Sequence, residues 1–160
     1  MGSEDHHGTD WGADSLPKTV AIARSRSAND LREALLARRF YAVAQHYNDI
    51  RVSYTVNGQP MGSRIRAPEG TQFNATVSIS RGGIPFPAEV EFVTVGNTVA
   101  ESITGADVAT TLRVGAGESY YFLRIRDPET DRPIAFAAPI WLIPGESALP
   151  ACPVDGGVPK

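Results

Sequence analysis

The chain has 160 residues, of which 42% are apolar and 21% are charged, and its formal net charge is −3. This composition is typical of a globular protein with a buried core rather than of a disordered chain. Lys and Arg do not cluster into a nucleic-acid or anionic-membrane surface. No apolar run reaches the roughly 18 residues of a membrane span, and the polar opening does not predict a signal peptide. The single cysteine, Cys152, excludes an internal disulfide and a Cys-based metal site, so the compartment stays unknown.

The opening segment, residues 1–17, is predicted to be a loop, and it contains a cluster of metal-ligating side chains. The cluster consists of Glu4, Asp5, His6, His7 and Asp10. Carboxylate oxygens and neutral imidazole nitrogens bind divalent transition metals, and the outer side chains of an extended Asp-x-His tripeptide point to the same side. A metal held there would activate water for hydrolysis. The alternative interpretation is a solvated terminal segment or a cloning remnant.

Residues 18–45 predict a strand, a helix and a second strand. Residues 19–23 form a short apolar strand candidate, and Ser27 begins a helix in which Asp30 completes a capping box. One helix face is apolar at i, i+3 and i+4 spacing, through Ala28, Leu31, Ala34 and Leu35. Arg38 and Arg39 are predicted in the last turn. The order is typical of the end of an α/β domain, whose parallel sheet requires further layers.

Residues 46–143 change to a period of two, which predicts a mainly β fold, an antiparallel Ig-like β-sandwich. The apolar or alternating runs are residues 50–56, 73–79, 90–92, 108–114, 121–125 and 134–143. Asn57 and Gly58 predict a tight turn after the first run. Trp141 is interpreted as a core residue of the last strand. Residues 144–160 are rich in Pro and Gly and are predicted to form a flexible tail.

The sequence contains no complete catalytic site. It has no G-x-S-x-G motif and no Gly-rich phosphate loop that leads into a helix. A catalytic metal normally takes three protein ligands, whereas the chain has three histidines and no H-x-H pair. His46 is interpreted as a structural or exposed residue. We therefore assign no catalytic and no cofactor-binding residue to the chain by itself.

Four segments carry a resemblance to a known family. Residues 2–7 read GSEDHH, residues 31–42 read LREALLARRFYA, residues 50–62 read IRVSYTVNGQPMG, and residues 120–141 begin with YYFLRIRD and end with AFAAPIW. In that order they are similar to the metal motif, the following helix and strand, and the two ends of the β-rich tail in PHP-domain metallohydrolases of the CehA/McbA type. The resemblance covers residues 2–143.

The resemblance implies that the chain is the C-terminal fragment of a metal-dependent phosphohydrolase, with an accessory β-sandwich and without independent activity. The metal ligands that it implies are Asp5 and His7, and the alternative register is Glu4 and His6. The implied cofactor is a divalent metal (Zn, Mn or Fe) in the parent enzyme. The implied partner is the missing N-terminal PHP barrel, which would carry the H-x-H ligands.

The predicted organisation is a PHP remnant at residues 1–45, a sandwich at residues 46–143 and the tail at residues 144–160. Without the barrel, the helix face is expected either to dock on the sandwich or to promote self-association. The alternative function is a free-standing Ig-like binding module for carbohydrate or a partner protein. That alternative is favoured if residues 1–45 fold against the sandwich and bury the helix face.

Overall fold

The computed structural model describes residues 17–146, which contain twelve strands and one α-helix. The helix, α1, is Ala28–Leu36. The strands are β1 Lys18–Ala21, β2 Phe40–Val43, β3 Ile50–Val56, β4 Gln59–Pro60, β5 Arg64–Ala67, β6 Gln72–Arg81, β7 Ile84–Pro85, β8 Ala88–Thr94, β9 Thr98–Gly105, β10 Asp107–Arg113, β11 Ser119–Arg126 and β12 Pro133–Pro144.

Two sheets pack face to face around one core. The seven-stranded sheet has the order β1-β2-β12-β11-β8-β9, with β5 added to β12, and the five-stranded sheet has the order β10-β6-β3-β4, with β7 added to β6. The inward positions of both sheets form one buried apolar cluster. In it the ring of Tyr54 meets the ring of Phe92 edge to face, with centroids 6.2 Å apart. The predicted mainly β, antiparallel sandwich is confirmed at this level.

The predicted strand runs become β3, β6, β8, β10, β11 and β12. In β3, β6 and β10, buried residues alternate with more exposed ones, because one face of the sheet is covered and the other is not. Asn57 and Gly58 form the expected turn, and both have positive φ, 49° and 75°. Strand β11 lies between β12 and β8, so it is an internal strand of the seven-stranded sheet.

Two strands of the seven-stranded sheet were not predicted. Strand β9 is an edge strand and is mostly exposed, so it lacks an alternating apolar pattern. Strand β5 has four residues and pairs in parallel with the C-terminal half of β12, with Arg64 opposite Trp141. Strand β12 is long enough to pair with two neighbours on the same side. Its N-terminal half pairs antiparallel with β2, where Ala137 lies opposite Tyr41.

Strands β1 and β2 belong to the sandwich, and they run antiparallel to each other. Lys18 lies opposite Val43 and Ala21 lies opposite Phe40. The strand-helix-strand order expected for residues 18–45 is therefore present, but the parallel arrangement expected for it is wrong. Helix α1 joins neighbouring antiparallel strands, so it is a long connection rather than a crossover helix between parallel strands.

Helix α1 begins and ends through local hydrogen bonds. The Ser27 hydroxyl accepts from the amide of Asp30 at 3.1 Å, which confirms the N-cap. The prediction that Arg38 and Arg39 lie in the last turn is wrong, because the helix ends at Leu36 and Arg38 has a φ of +58°. The Arg39 guanidinium instead forms an ion pair with Glu33.

Candidate functional site

The predicted metal ligands Asp5 and His7, and the alternative pair Glu4 and His6, lie outside the described residues. The third histidine, His46, is exposed on the turn between β2 and β3. Among residues 17–146, no three side chains of His, Cys, Asp or Glu are grouped as a metal site would require. In the same range, no helix has the length and apolarity needed to cross a membrane.

An apolar concavity lies along helix α1, and we call it the α1 groove. Its volume is about 630 Å³. It is lined by Ala28, Leu31, Arg32, Leu35, Leu36, Arg38 and Phe40. The exposed fractions of the three leucines are 39% for Leu31, 41% for Leu35 and 67% for Leu36. The sandwich therefore leaves most of the predicted apolar helix face open.

One part of α1 is held against the rest of the protein. Ala34 is fully buried, and its carbonyl accepts from the amide of Arg39 at 2.8 Å. Gly62, between β4 and β5, approaches the end of the helix so closely that a Cβ there would overlap the carbonyl oxygen of Ala37. Of the predicted face, Ala34 is thus docked, whereas Leu31 and Leu35 are not. The helix is fixed at its C-terminal end and presents its leucines outward.

Trp141 is not the core residue that the sequence predicted. Its neighbours Ile140 and Leu142 face the core, so by alternation along the strand Trp141 faces outward and is only partly buried. The guanidinium carbon of Arg38 lies 5.0 Å from the centroid of its ring, and that of Arg64 lies 5.6 Å away. These are cation–π distances. The Trp141 ring therefore links the residue that follows α1 to strand β5.

The guanidinium of Arg64 is itself fixed by a carboxylate. Its Nη2 donates to both oxygens of Glu118, at 2.9 and 3.0 Å. The Arg64–Glu118 ion pair thus holds Arg64 against Trp141, and the same ring contacts Arg38 at the C-terminal end of the α1 groove. Sequence spacing gave no sign of this arrangement, because Arg38, Arg64 and Trp141 are far apart along the chain. The one local signal is the Gly in the Met61-Gly62 pair, which permits the close backbone approach.

No family model, curated protein sequence or solved structure matches the chain. The likeness to PHP-domain metallohydrolases rests on the four sequence segments. Three structural features of the described residues bear on its function. These are the open α1 groove, the Arg-Trp-Arg stack beside it, and a second cavity between two loops at one end of the sandwich.

Proposed function

We propose that this chain is the C-terminal part of a PHP-type metal-dependent hydrolase, in which an Ig-like sandwich is an accessory module beside the catalytic domain. The observation that carries the proposal is the open α1 groove. A capped helix with one apolar face normally buries that face against another element. A catalytic domain that precedes these residues in the longer parent protein would supply the missing cover.

The size of the groove favours a partner in the same chain over a separate protein. Helix α1 has nine residues, which corresponds to a length of about 13.5 Å. A stable complex between separate proteins buries about 800 Å² on each partner, which is more than a face of this length supplies. A tethered domain is present at an effective concentration of roughly millimolar. A small apolar contact is therefore enough to dock it.

The charges at the groove define the surface that fits it. Arg32 and Arg38 line the groove beside the leucines, and within residues 17–146 neither guanidinium is in an ion pair. A complementary surface is apolar at its centre and carries carboxylates at its rim, because paired charges suffer less from partial burial than unpaired ones. We infer that the catalytic domain presents such a surface.

In the parent enzyme, Asp5 and His7 would hold a divalent metal together with ligands from the preceding barrel. Their carboxylate and imidazole groups are suited to Zn, Mn or Fe. The bound metal would supply an activated water for attack on a phosphoester. Glu4 and His6 are the alternative pair. The isolated chain lacks the H-x-H ligands, so we expect it to be inactive by itself.

The first experiment examines the reading frame upstream of Met1 and the activity of the longer product. We expect an upstream segment that encodes an H-x-H strand, and hydrolysis of bis(p-nitrophenyl) phosphate that EDTA abolishes. In that longer protein, Asp5→Asn and His7→Ala should each lower kcat by roughly a hundredfold or more. The matched controls Glu4→Gln and His6→Ala should leave it nearly unchanged.

The reverse pattern would select the Glu4 and His6 register. A stop codon in frame directly upstream, or unchanged activity in all four variants, would rule out the hydrolase. Docking is measured separately by hydrogen exchange. The amides of α1 should exchange more slowly in the longer protein than in the 160-residue chain, and Leu35→Glu should remove that difference.

A free-standing binding module, for carbohydrate or a partner protein, is the second candidate. The observation that favours it is the pairing of β1 with β2 and of β2 with β12. These strands extend the sandwich's own sheet, so β2 is paired on both sides within the described residues. The two candidates differ in one measurable respect, since only the hydrolase requires a cover for Leu31 and Leu35.

A further inference from the structure

A second cavity lies at the end of the sandwich where two loops meet, and we call it the end cavity. Its volume is about 390 Å³. It is lined by residues 44–47 of the β2–β3 connection and by Asp127, Thr130, Arg132 and Pro133 of the β11–β12 connection. Small-molecule sites usually have volumes of about 300–1,000 Å³. Loops at the ends of β-sandwiches often carry binding sites, because the sheets hold them rigidly.

Hydrogen bonds fix the inner wall of the end cavity. The Tyr47 hydroxyl donates to Oδ2 of Asp127 at 3.0 Å. Oδ1 of Asp127 accepts from the amides of Glu129 and Thr130, each at 2.9 Å. The bond from Tyr47 joins the two loops. All three bonds lower the pKa of the Asp127 carboxyl, chiefly those from the Thr130 and Glu129 amides. The wall therefore holds an ionised carboxylate that retains unused acceptor capacity on Oδ2.

The Tyr47 ring is fixed from the other side. It packs edge to face on Phe86 with ring centroids 6.4 Å apart, and the Arg81 guanidinium lies 5.4 Å from its centroid. Arg81 Nε donates to the Asp49 carboxylate at 3.1 Å, and its Nη2 donates to the carbonyl of His46, also at 3.1 Å. The turn that carries His46 is thus held in place before any ligand binds.

His46 adopts a strained backbone conformation at the rim of this cavity. Its φ is +78°, and the amide of Tyr47 donates to the carbonyl of Ala44 at 3.3 Å. Positive φ at the third position of such a turn is typical of type II and favours glycine. A side chain there is costly to stability, and backbone strain of this kind clusters at functional sites. The structure keeps an imidazole in place at a position where glycine would be more stable.

The composition of the cavity excludes most ligand classes. His46 and Asp127 are its two metal-type donors, whereas a zinc site takes at least three protein ligands. The Asp127 carboxylate and the Arg132 guanidinium offset each other's charge in the lining, so the cavity offers no excess positive charge to bind phosphate or carboxylate ligands. A wholly apolar ligand would displace water from the polar groups of Gln45, Thr130 and Arg132 without forming hydrogen bonds to them, and this desolvation would oppose binding. What fits is a neutral ligand with one apolar face and several hydroxyl groups.

We propose that the end cavity binds a neutral saccharide. The carbon faces of Tyr47, Ala44 and Pro133 would contact the C–H face of the sugar ring. The planar side chains of Arg132, Gln45 and His46 would bond to its hydroxyls: Arg132 donates, and Gln45 and His46 can each donate and accept. The site belongs to the sandwich itself, so this proposal holds whether or not a catalytic domain precedes it.

The test titrates the 15N-labelled 160-residue chain and follows the amide shifts by NMR, which detects weak binding and also reports on folding. The saccharide probes are glucose, galactose, mannose, N-acetylglucosamine and their β-linked disaccharides, and inorganic phosphate is the anionic probe. At least one saccharide should produce saturable shifts confined to residues 44–47 and 127–133. Arg132→Ala should weaken that binding by roughly tenfold or more. Arg113→Ala, an exposed arginine on β10, is the matched control and should bind as the unmodified chain does.

His46→Gly separates a binding role from a structural one. Removing the strained side chain should raise the melting temperature while it weakens saccharide binding. A higher melting temperature with unchanged binding would overturn the role of His46. Shifts at these residues with phosphate alone, or no shift with any saccharide, would overturn the proposal.

Discussion

The hydroxyl of Tyr54 donates to the backbone carbonyl of Tyr121 at 3.1 Å, from the middle of one sheet to the middle of the other. Tyr54 is 1% exposed, so water cannot replace this bond. It places a polar link inside an apolar core and aligns β3 with β11. Because buried polar groups must be paired, the bond also fixes the relative position of the two sheets.

Tyr54→Phe should lower the free energy of unfolding by about 1–2 kcal/mol, because it leaves one lone pair of the Tyr121 carbonyl unpaired in the core. Urea denaturation followed by tryptophan fluorescence measures the difference. The control is Tyr120→Phe on the same strand as the acceptor, where the side chain is only partly buried. Equal losses in the two variants would contradict a special role for the link between the sheets.

The chain should become less stable at alkaline pH. Burial raises the pKa of Tyr54 strongly, with a smaller contribution from Tyr121, and burial also raises the pKa of Tyr41, Tyr47 and Tyr121. Unfolded tyrosines lose their protons near pH 10, before the folded ones do. The stabilisation from these groups is therefore complete below about pH 10 and is lost as the pH rises above it.

Tyr54→Phe should make the loss of unfolding free energy at alkaline pH less steep, because it removes the tyrosine whose pKa burial raises most strongly. The measurement is the free energy of unfolding at a series of pH values between about 8 and 12, a range set by the tyrosine pKa. An identical slope in the variant and the unmodified chain would mean that Tyr54 is not responsible for the decline.

Gly62→Ala should destabilise the chain far more than Gly58→Ala. Both glycines have positive φ, +90° and +75°, but a Cβ at Gly58 meets no atom within 4 Å. A Cβ at Gly62 would overlap the Ala37 carbonyl and lie 2.8 Å from the carbonyl carbon of Arg38. We expect a loss of about 1–2 kcal/mol at Gly58 from the backbone alone. At Gly62 we expect about 2–5 kcal/mol, because displacement of α1 adds to that cost.

Thermal denaturation of the two alanine variants measures this difference. Hydrogen exchange then locates it, because the amides of α1 should lose protection in the Gly62 variant and keep it in the Gly58 variant. Equal stabilities would show that the contact between Gly62 and the end of α1 does not hold the helix.

Leu36→Gln should reduce self-association and dye binding without loss of stability. Leu36 is the most exposed leucine of the α1 groove, so its replacement should change the free energy of unfolding by no more than about 0.5 kcal/mol. Light scattering and ANS fluorescence at high protein concentration should both decrease, because exposed apolar patches promote association. Ile84→Gln is the control, since Ile84 is 71% exposed on β7 away from α1. A decrease of the same size in the Ile84→Gln variant would mean that the α1 groove is not the surface through which the chain self-associates and binds dye.

Local patterns in the sequence predicted the repeating parts of the fold. Alternation of apolar residues located β3, β6 and β10, and the Ser27 cap located the start of α1. These predictions succeeded because a cap, a tight turn and a half-covered strand depend on residues only a few positions apart. Strand β9 was missed because an exposed edge does not require alternation. Strand β5 does alternate, but its four residues are too few to establish a period.

The sequence by itself determined that the chain folds as a mainly β protein with one capped helix. Its resemblance to PHP-domain metallohydrolases implied Asp5 and His7, or Glu4 and His6, as metal ligands. These residues lie outside the described range, so the ligand assignment stays a prediction. Only the tertiary structure decided that β1 and β2 run antiparallel, that Trp141 faces outward between two arginines, and that Leu31 and Leu35 remain open. The physical reason is that the cover over a face comes from residues far away in the chain. Whether a side chain is buried is therefore a property of the packed layers, and local spacing does not contain it.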